Sequence, residues 1–248
     1  MVTAHSSFAQ EPESAEEGSR VAHVVELFTS QGCSSCQQAE TALSDLSERP
    51  GVLALAYHVD YWDYIGWRDT YGSPENTARQ QAYGESFNLS TLFTPQMIVD
   101  GRRQIVGAKS EDVVELLQTL SAIDTDGGAS VSARIVGDNL KIRASMSQPI
   151  GDGSLPVLIV VTYDARSKTE ITRGENLGST LVETNPVRDW RIMGAWSGEP
   201  MKISLPISTL TTGANGENGC AVFIQLMSQT GEPGPILSAT RLDLSAHD

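Results

Sequence analysis

The chain has 248 residues, 40% of them apolar, and a formal net charge of −14. At ~100–200 residues per domain, that length holds one large domain or two smaller ones. The acidity argues against a nucleic-acid partner, which needs a basic excess to displace counterions, and against an anionic membrane surface. No apolar run reaches the ~20 residues of a spanning helix, so no membrane insertion is expected.

Ser7-Phe8-Ala9 followed by Gln10 is similar to the end of a secretory signal cleaved after Ala9, although the apolar segment that should precede it is absent. Glu11 to Arg20 is polar, acidic and aperiodic. Residues 1–20 therefore read as a signal-peptide remnant or disordered leader, with order beginning near Val21, and the protein reads as periplasmic or secreted. Val24 to Phe28 is a short strand followed by the turn-like Thr29-Ser30-Gln31-Gly32. From Cys33 the period changes: Ala39, Ala42, Leu43 and Leu46 fall at helical spacing, and Pro50-Gly51 ends the helix. Val52 to Val59 is apolar nearly throughout, as a strand covered on both faces should be.

A polar, aromatic stretch from Asp60 to Gly72 leads to Ser73-Pro74-Glu75, a hydroxyl cap with proline and an acid behind it, which predicts a helix to about Phe87. Gln96–Asp100 and Gln104–Val106 make a hairpin across Asp100-Gly101. Ser110 is the expected cap of a last helix with Val113, Leu116, Leu117 and Leu120 as its buried stripe. Ile123 to Ser130 reads as a linker. Beyond it come short strands and no convincing helix: 131–136, 140–146, 157–163, 168–172 pairing with 157–163, then 180–184, 201–205, 221–227 and 236–242. The expected architecture is an α/β domain over residues 21–122 and an all-β antiparallel sandwich over residues 131–248.

Three cysteines, one local pair and the distant Cys220, do not make a disulfide framework. Cys33-Ser34-Ser35-Cys36 at the start of a helix is a reactive-dithiol arrangement. The helix end offers free N–H groups and a positive dipole to a thiolate at Cys33, and Cys36 lies close enough to close a disulfide and release a mixed-disulfide partner. The Ser34 and Ser35 hydroxyls are candidate donors to the sulfur. Other readings of the pair are half of a zinc site, though no second paired spacing supplies the remaining ligands, and a copper(I) module with help from His58. His58 alone reads as a hydrogen-bonded strand-end histidine. Cys220, in an apolar strand, reads as an inert buried thiol.

The segment from Val25 to Cys36 resembles the active-site segment of thioredoxin, glutaredoxin and periplasmic disulfide-exchange proteins. Thr94-Pro95, ahead of Gln96 to Gly101, is similar to the cis-proline of that superfamily. With His58-Val59-Asp60-Tyr61-Trp62-Asp63 and Arg188-Asp189-Trp190 added, the whole chain resembles a family of secreted, thioredoxin-like proteins of unknown function. The resemblance implies a thioredoxin-like fold for the first half and thiol–disulfide exchange with a protein or small-molecule thiol or disulfide, without a cofactor. It implies Cys33 and Cys36 as the working pair and a cis Thr94–Pro95 bond packed against them. It also implies a buried acid under the dithiol, for which Glu26 is the candidate, one residue further from the first cysteine than in those relatives. Glu26 equally reads as a strand-end acid facing solvent. Tyr61, Trp62, Tyr64 and Trp67 read as local packing or as an aromatic rim for a peptide partner. Arg188, Asp189 and Trp190 read as a surface ion pair beside a packed ring. A non-enzymatic interaction protein on the same fold is the remaining alternative.

Overall fold

The computed structural model describes residues 16–106, 109–123, 128–147, 153–196 and 199–245. The signal-like Ser7 to Gln10 and Asp124 to Gly127 of the expected linker lie outside the described residues.

The described chain opens with β1 (Glu16–Glu17) and β2 (Ser19–Arg20), so regular structure begins before Val21. Then come β3 (His23–Thr29), α1 (Gln37–Ser47), β4 (Val52–His58), α2 (Pro74–Ser86), β5 (Gln96–Val99), β6 (Arg103–Val106) and α3 (Ser110–Thr119). Their sheet has the order β4-β3-β5-β6, with β3 parallel to β4 and antiparallel to β5. Ser73 caps α2 as expected, its hydroxyl accepting from the Asn76 N–H. Ser110 does not cap α3. It is the first helical residue, and the cap position falls on Lys109, whose side chain makes no capping bond.

The second half contributes β7 (Ala129–Val136), β8 (Asn139–Met146), β9 (Leu155–Asp164), β10 (Arg166–Glu170), β11 (Thr180–Thr184), β12 (Val187–Ala195), β13 (Met201–Pro206), β14 (Asn218–Met227) and β15 (Pro233–Asp243). Among the described residues its strands pair with one another antiparallel, and an isolated parallel bridge joins Pro186 to Ala56 of β4. One sheet runs β1-β7-β8-β13 and another β12-β9-β14-β15-β2. Two expectations are corrected. The 168–172 segment does not pair with 157–163; β10 pairs with β11 in a separate ribbon, and the partner of β9 on that side is β12. β12, which holds Arg188-Asp189-Trp190, is a strand that local pattern does not announce, because its residues lack apolar alternation.

The layers explain the strand patterns. On β9 and β14, one face (Leu158, Val160, Val222, Ile224) joins the core shared with the β7-β8 sheet. The other (Ile159, Val161, Phe223) joins Val24, Phe28, Leu55 and Ile98 from the first half. Both faces are covered, so these strands read as continuous apolar runs. A third core lies between β3, β4 and the helices α1 and α3. The halves therefore meet through shared core, and Asn185 seals the outer edge of β4, accepting from the Ala56 N–H and donating to the Ala54 carbonyl. At another contact Gly101, with φ of +63°, lies where an added Cβ would stand 2.2 Å from the Gly234 carbonyl.

A buried ion pair sits at the junction. Arg79 of α2 contacts Glu26 of β3 at 2.7 Å, with side chains 2% and 0% exposed. The guanidinium also donates to Gln225 of β14 at 3.0 Å, and Tyr83 donates to Glu26 at 2.6 Å. The rings of Tyr57, Tyr83, Trp190 and Phe223 surround it at 5.2–5.8 Å. Arg79→Met should lower the unfolding free energy by about 3–5 kcal/mol, the cost of leaving one buried charge unpaired. Combining it with Glu26→Gln should restore most of that loss. Urea denaturation of the single and double variants measures both.

Candidate active site

The loop Ser30-Gln31-Gly32 leaves β3 and delivers Cys33, whose backbone is extended at φ −89° and ψ 110°. A 3-10 turn over Ser34–Cys36 follows, and α1 begins only at Gln37. Cys33 thus stands just before the helical turn, and Cys36 closes it. The sulfurs are joined in a disulfide with an S–S distance of 2.07 Å. The Ser35 hydroxyl lies 3.3 Å from the Cys33 sulfur, the donor position expected for one of the intervening serines. Both cysteines are buried, each 1% exposed. They line a cavity of about 340 Å³ shared with Glu40, His58 and Glu183.

Three acids and one histidine stand around this cavity. His58 ends β4 and bonds through Nδ1 to Asp69 at 2.9 Å, while its Nε2 is buried without a partner. Burial opposes the imidazolium, but the charge and hydrogen bond of Asp69 outweigh it and push His58 up to about 10. Asp69 is in turn held below the usual carboxylate range: burial works against its charge, but His58 and the N–H groups of Gln31 and Tyr71 prevail. Glu40 lies one helical turn beyond Cys36, and neither of its oxygens is accessible or well bonded. Burial pushes its carboxyl up to about 7, against the pull of His58 and the nearby Thr29 hydroxyl. Burial likewise raises Glu183, again against His58.

Gln31 ties the loop to its surroundings. Its N–H donates to Asp69 at 2.7 Å, its Nε2 to Glu183 at 2.6 Å, and its carbonyl accepts from Asn176 at 2.8 Å. The Trp67 indole donates to Gln31 Oε1 at 2.9 Å. The Thr94–Pro95 bond is cis. Its loop is held by Gln80, which donates to the Phe93 carbonyl at 2.8 Å, and by the Trp62 indole, which donates to Thr94 at 2.8 Å. Trp62 also borders the active loop, since a Cβ added at Gly32 would lie 3.4 Å from Trp62 Cβ.

The expected residues do not all gather here. Glu26 is fully buried, which overturns the solvent-facing reading. Strand alternation puts it on the β3 face opposite Val25 and Leu27, which pack with α1, and its carboxylate is engaged by Arg79 and Tyr83. Trp62 and Trp67 are half-buried and bond to Thr94 and Gln31, while Tyr64 is 82% exposed. Cys220 is a free thiol in the second core, pushed up to about 12 by burial. Arg188 pairs with the buried Asp164 at 2.8 Å rather than lying at the surface, Asp189 pairs with Arg191 at 2.6 Å, and Trp190 packs on Arg79. Among the described residues, no three His, Cys, Asp or Glu side chains are grouped to hold a metal ion, and no helix is long and apolar enough to cross a membrane. Sequence alone misses Gln31, Glu40, Asp69 and Glu183. Only Glu40 leaves a local trace, a charge four residues after Cys36 and next to the apolar Ala39 and Leu43.

The family model described as "Protein of unknown function (DUF1223)" matches residues 24–225. The chain belongs to the DUF1223 family. Protein AGR_C_4864 from Agrobacterium tumefaciens, a solved structure, is 32% identical over 90% of this chain and 95% of that one, with a TM-score of 0.75. HBP35 of Porphyromonas gingivalis matches over 90% of this chain and 75% of that one at 13% identity and a TM-score of 0.54, a likeness of fold alone. No curated protein matches.

The raised groups make this DUF1223 protein's stability depend on pH. Folding raises Glu40 from 4.5 to about 7 and His58 from 6.5 to about 10, so the folded chain binds more protons across both windows. The cluster's contribution is therefore greatest on the acid side and falls as pH rises from about 4.5 to about 10. Glu40→Gln should reduce the part between about pH 4.5 and 7, leaving the share of Glu183, and keep the part above it. Urea titrations across that range measure the difference.

Proposed function

We propose that this protein is a thiol–disulfide oxidoreductase, with a thioredoxin-like first half over residues 21–122 carrying the site and an antiparallel sandwich over residues 131–248 packed behind it. The observation that supports this most is the Cys33–Cys36 disulfide, which precedes α1 and lines a cavity beside a buried carboxyl. The strand–loop–helix setting, the parallel β3–β4 pair with antiparallel β5 and β6, and the cis Pro95 loop fit that fold. The reading carries with it an oxidising compartment outside the cytosol, where such a disulfide persists.

In the reduced protein the Cys33 thiolate attacks a substrate disulfide. A mixed disulfide forms and one substrate thiolate leaves. Cys36 then attacks the Cys33 sulfur, closes the internal disulfide and releases the second substrate thiolate. Cys36 must lose a proton first. Glu40, one turn along α1, is the acceptor, and burial raises its carboxyl to about 7. It takes the role for which sequence alone offers Glu26. Ser35 supports the Cys33 thiolate, and the cis Pro95 loop, which does not line the cavity, borders the dithiol loop through Trp62.

Cys33→Ser should abolish exchange, and Cys36→Ser should accumulate mixed disulfides through Cys33. Glu40→Gln should slow closure of the internal disulfide on the order of 100-fold near neutral pH and move its pH profile to the alkaline side. Equilibration in glutathione buffers of graded potential, with thiol trapping, reads whether the pair cycles. A pair that stays in one state across all buffers, or copper(I) bound by the reduced protein without exchange, would overturn the proposal.

A further inference from the structure

The disulfide lies beneath a roof supplied by the other half of the chain. The cavity has Cys33, Cys36 and Glu40 on one side and Leu181, Val182 and Glu183 of β11 on the other. The roof is anchored close to the active loop. The Asn176 side chain, in the connection between β10 and β11, donates to the Gln31 carbonyl at 2.8 Å and accepts from Gln37 at 3.1 Å. Glu183 and Thr169, one from each strand of the ribbon, accept from Gln31 Nε2 at 2.6 and 3.2 Å. Gly174 packs beside Trp67, an added Cβ there lying 3.2 Å from Trp67 Cβ. The motif and its roof are thus cross-linked by hydrogen bonds on both strands and on the loop between them.

Size and charge then narrow the partner. About 340 Å³ is at the small end of the ~300–1,000 Å³ of small-molecule sites. A folded protein disulfide reaches a thiol only if the sulfur stands at the surface, and here both cysteines are 1% exposed. No lysine or arginine lines the cavity. Its one cationic side chain, His58, is committed to Asp69, while Glu40 and Glu183 both face the space. A thiol carrying surplus carboxylates finds no counterion there; an amine finds two carboxyls.

Building on the exchange reading, we propose that the site serves a small neutral or cationic thiol and its disulfide, and that the β10–β11 ribbon excludes folded protein disulfides. With the protein oxidised, a small thiolate attacks the Cys33 sulfur and Cys36 leaves, taking up a proton. A second small thiolate attacks the bound small-molecule sulfur, releasing the symmetrical small disulfide and Cys33. Two molecules of thiol give up two electrons and two protons, and the protein ends as the dithiol. Running in reverse, the same steps reduce the small disulfide.

The test uses reduced Cys36→Ser protein and follows mixed-disulfide formation on Cys33 by mass spectrometry. The partners are cystamine, oxidised glutathione and insulin, each measured also with the chain unfolded in urea to give intrinsic reactivity. Relative to the unfolded chain, cystamine should be favoured over oxidised glutathione by about tenfold or more. Insulin should be suppressed by a larger factor. Asn176→Ala, which removes the roof's bonds to the Gln31 carbonyl and to Gln37 while those of Thr169 and Glu183 remain, should raise the insulin reaction part of the way to that of the unfolded chain. Glu183→Gln, which keeps a side chain able to bond Gln31, should narrow the cystamine-to-glutathione ratio. Insulin reacting as fast on folded as on unfolded protein, or an unchanged ratio in Glu183→Gln, would overturn this inference while leaving exchange in place. All three partners reacting more slowly on the folded than on the unfolded chain would overturn the exchange reading itself.

Discussion

Much of the structure depends on one charge that has no water. Arg79 is buried between the first half's sheet and the β9-β14 layer, and Glu26, Gln225 and four aromatic rings replace its hydration. A guanidinium in that position is tolerated only where every donor finds an acceptor of fixed geometry. That requirement sets the place of α2 against β3 and of β14 against both. α2 has almost no apolar stripe of its own: its buried positions include Asn76, Arg79 and Gln80. It is held by polar bonds to the His58 carbonyl, to Glu26 and to the Phe93 carbonyl. Two of those anchors are structural neighbours of the site, at the end of β4 and in the loop before Pro95.

The same helix thus links the junction to the surroundings of the dithiol. Around the sulfurs the balance of charge is different. His58 and Asp69 neutralise one another, leaving Glu40 and Glu183 as acids whose ionisation burial resists. A carboxyl that is half protonated near neutral pH can both give and take a proton, which a surface glutamate at its ordinary value does poorly. Burial beneath the β11 side of the cavity raises Glu40 on α1, whereas the acid on the central strand, Glu26, is paired with Arg79.

The local signals in the sequence explain which features it reveals. The helices α1 and α2, the hairpin at Asp100-Gly101 and the dithiol turn are short-range features, each marked by a period change, a cap or a turn pair. The strands β9 and β14 announce themselves because both faces are covered. β12 stays hidden because its Arg188 and Trp190 make polar and aromatic contacts in place of an apolar alternation. The ribbon pairing of β10 with β11 is hidden too, since strand partners are a tertiary choice. In the site, Cys33, Cys36 and the cis proline are readable from spacing and resemblance. Asp69 and Glu183 are not, because no local pattern pairs Asp69 with His58, 11 positions before it, or Glu183 with Gln31, 152 positions before it.

That separation has a consequence for the life of the molecule before it is complete. Gln31 and Glu183, bonded across the cavity, are 152 positions apart. A chain emerging in order presents the two cysteines long before the ribbon that covers them has been made. During that interval the thiols are as open to indiscriminate oxidation as those of any unfolded peptide. The cover over the sulfurs is therefore acquired late, with the packing of the second half on the first, and a chain truncated before residue 166 would keep its cysteines but lack the β10–β11 ribbon that lies over them.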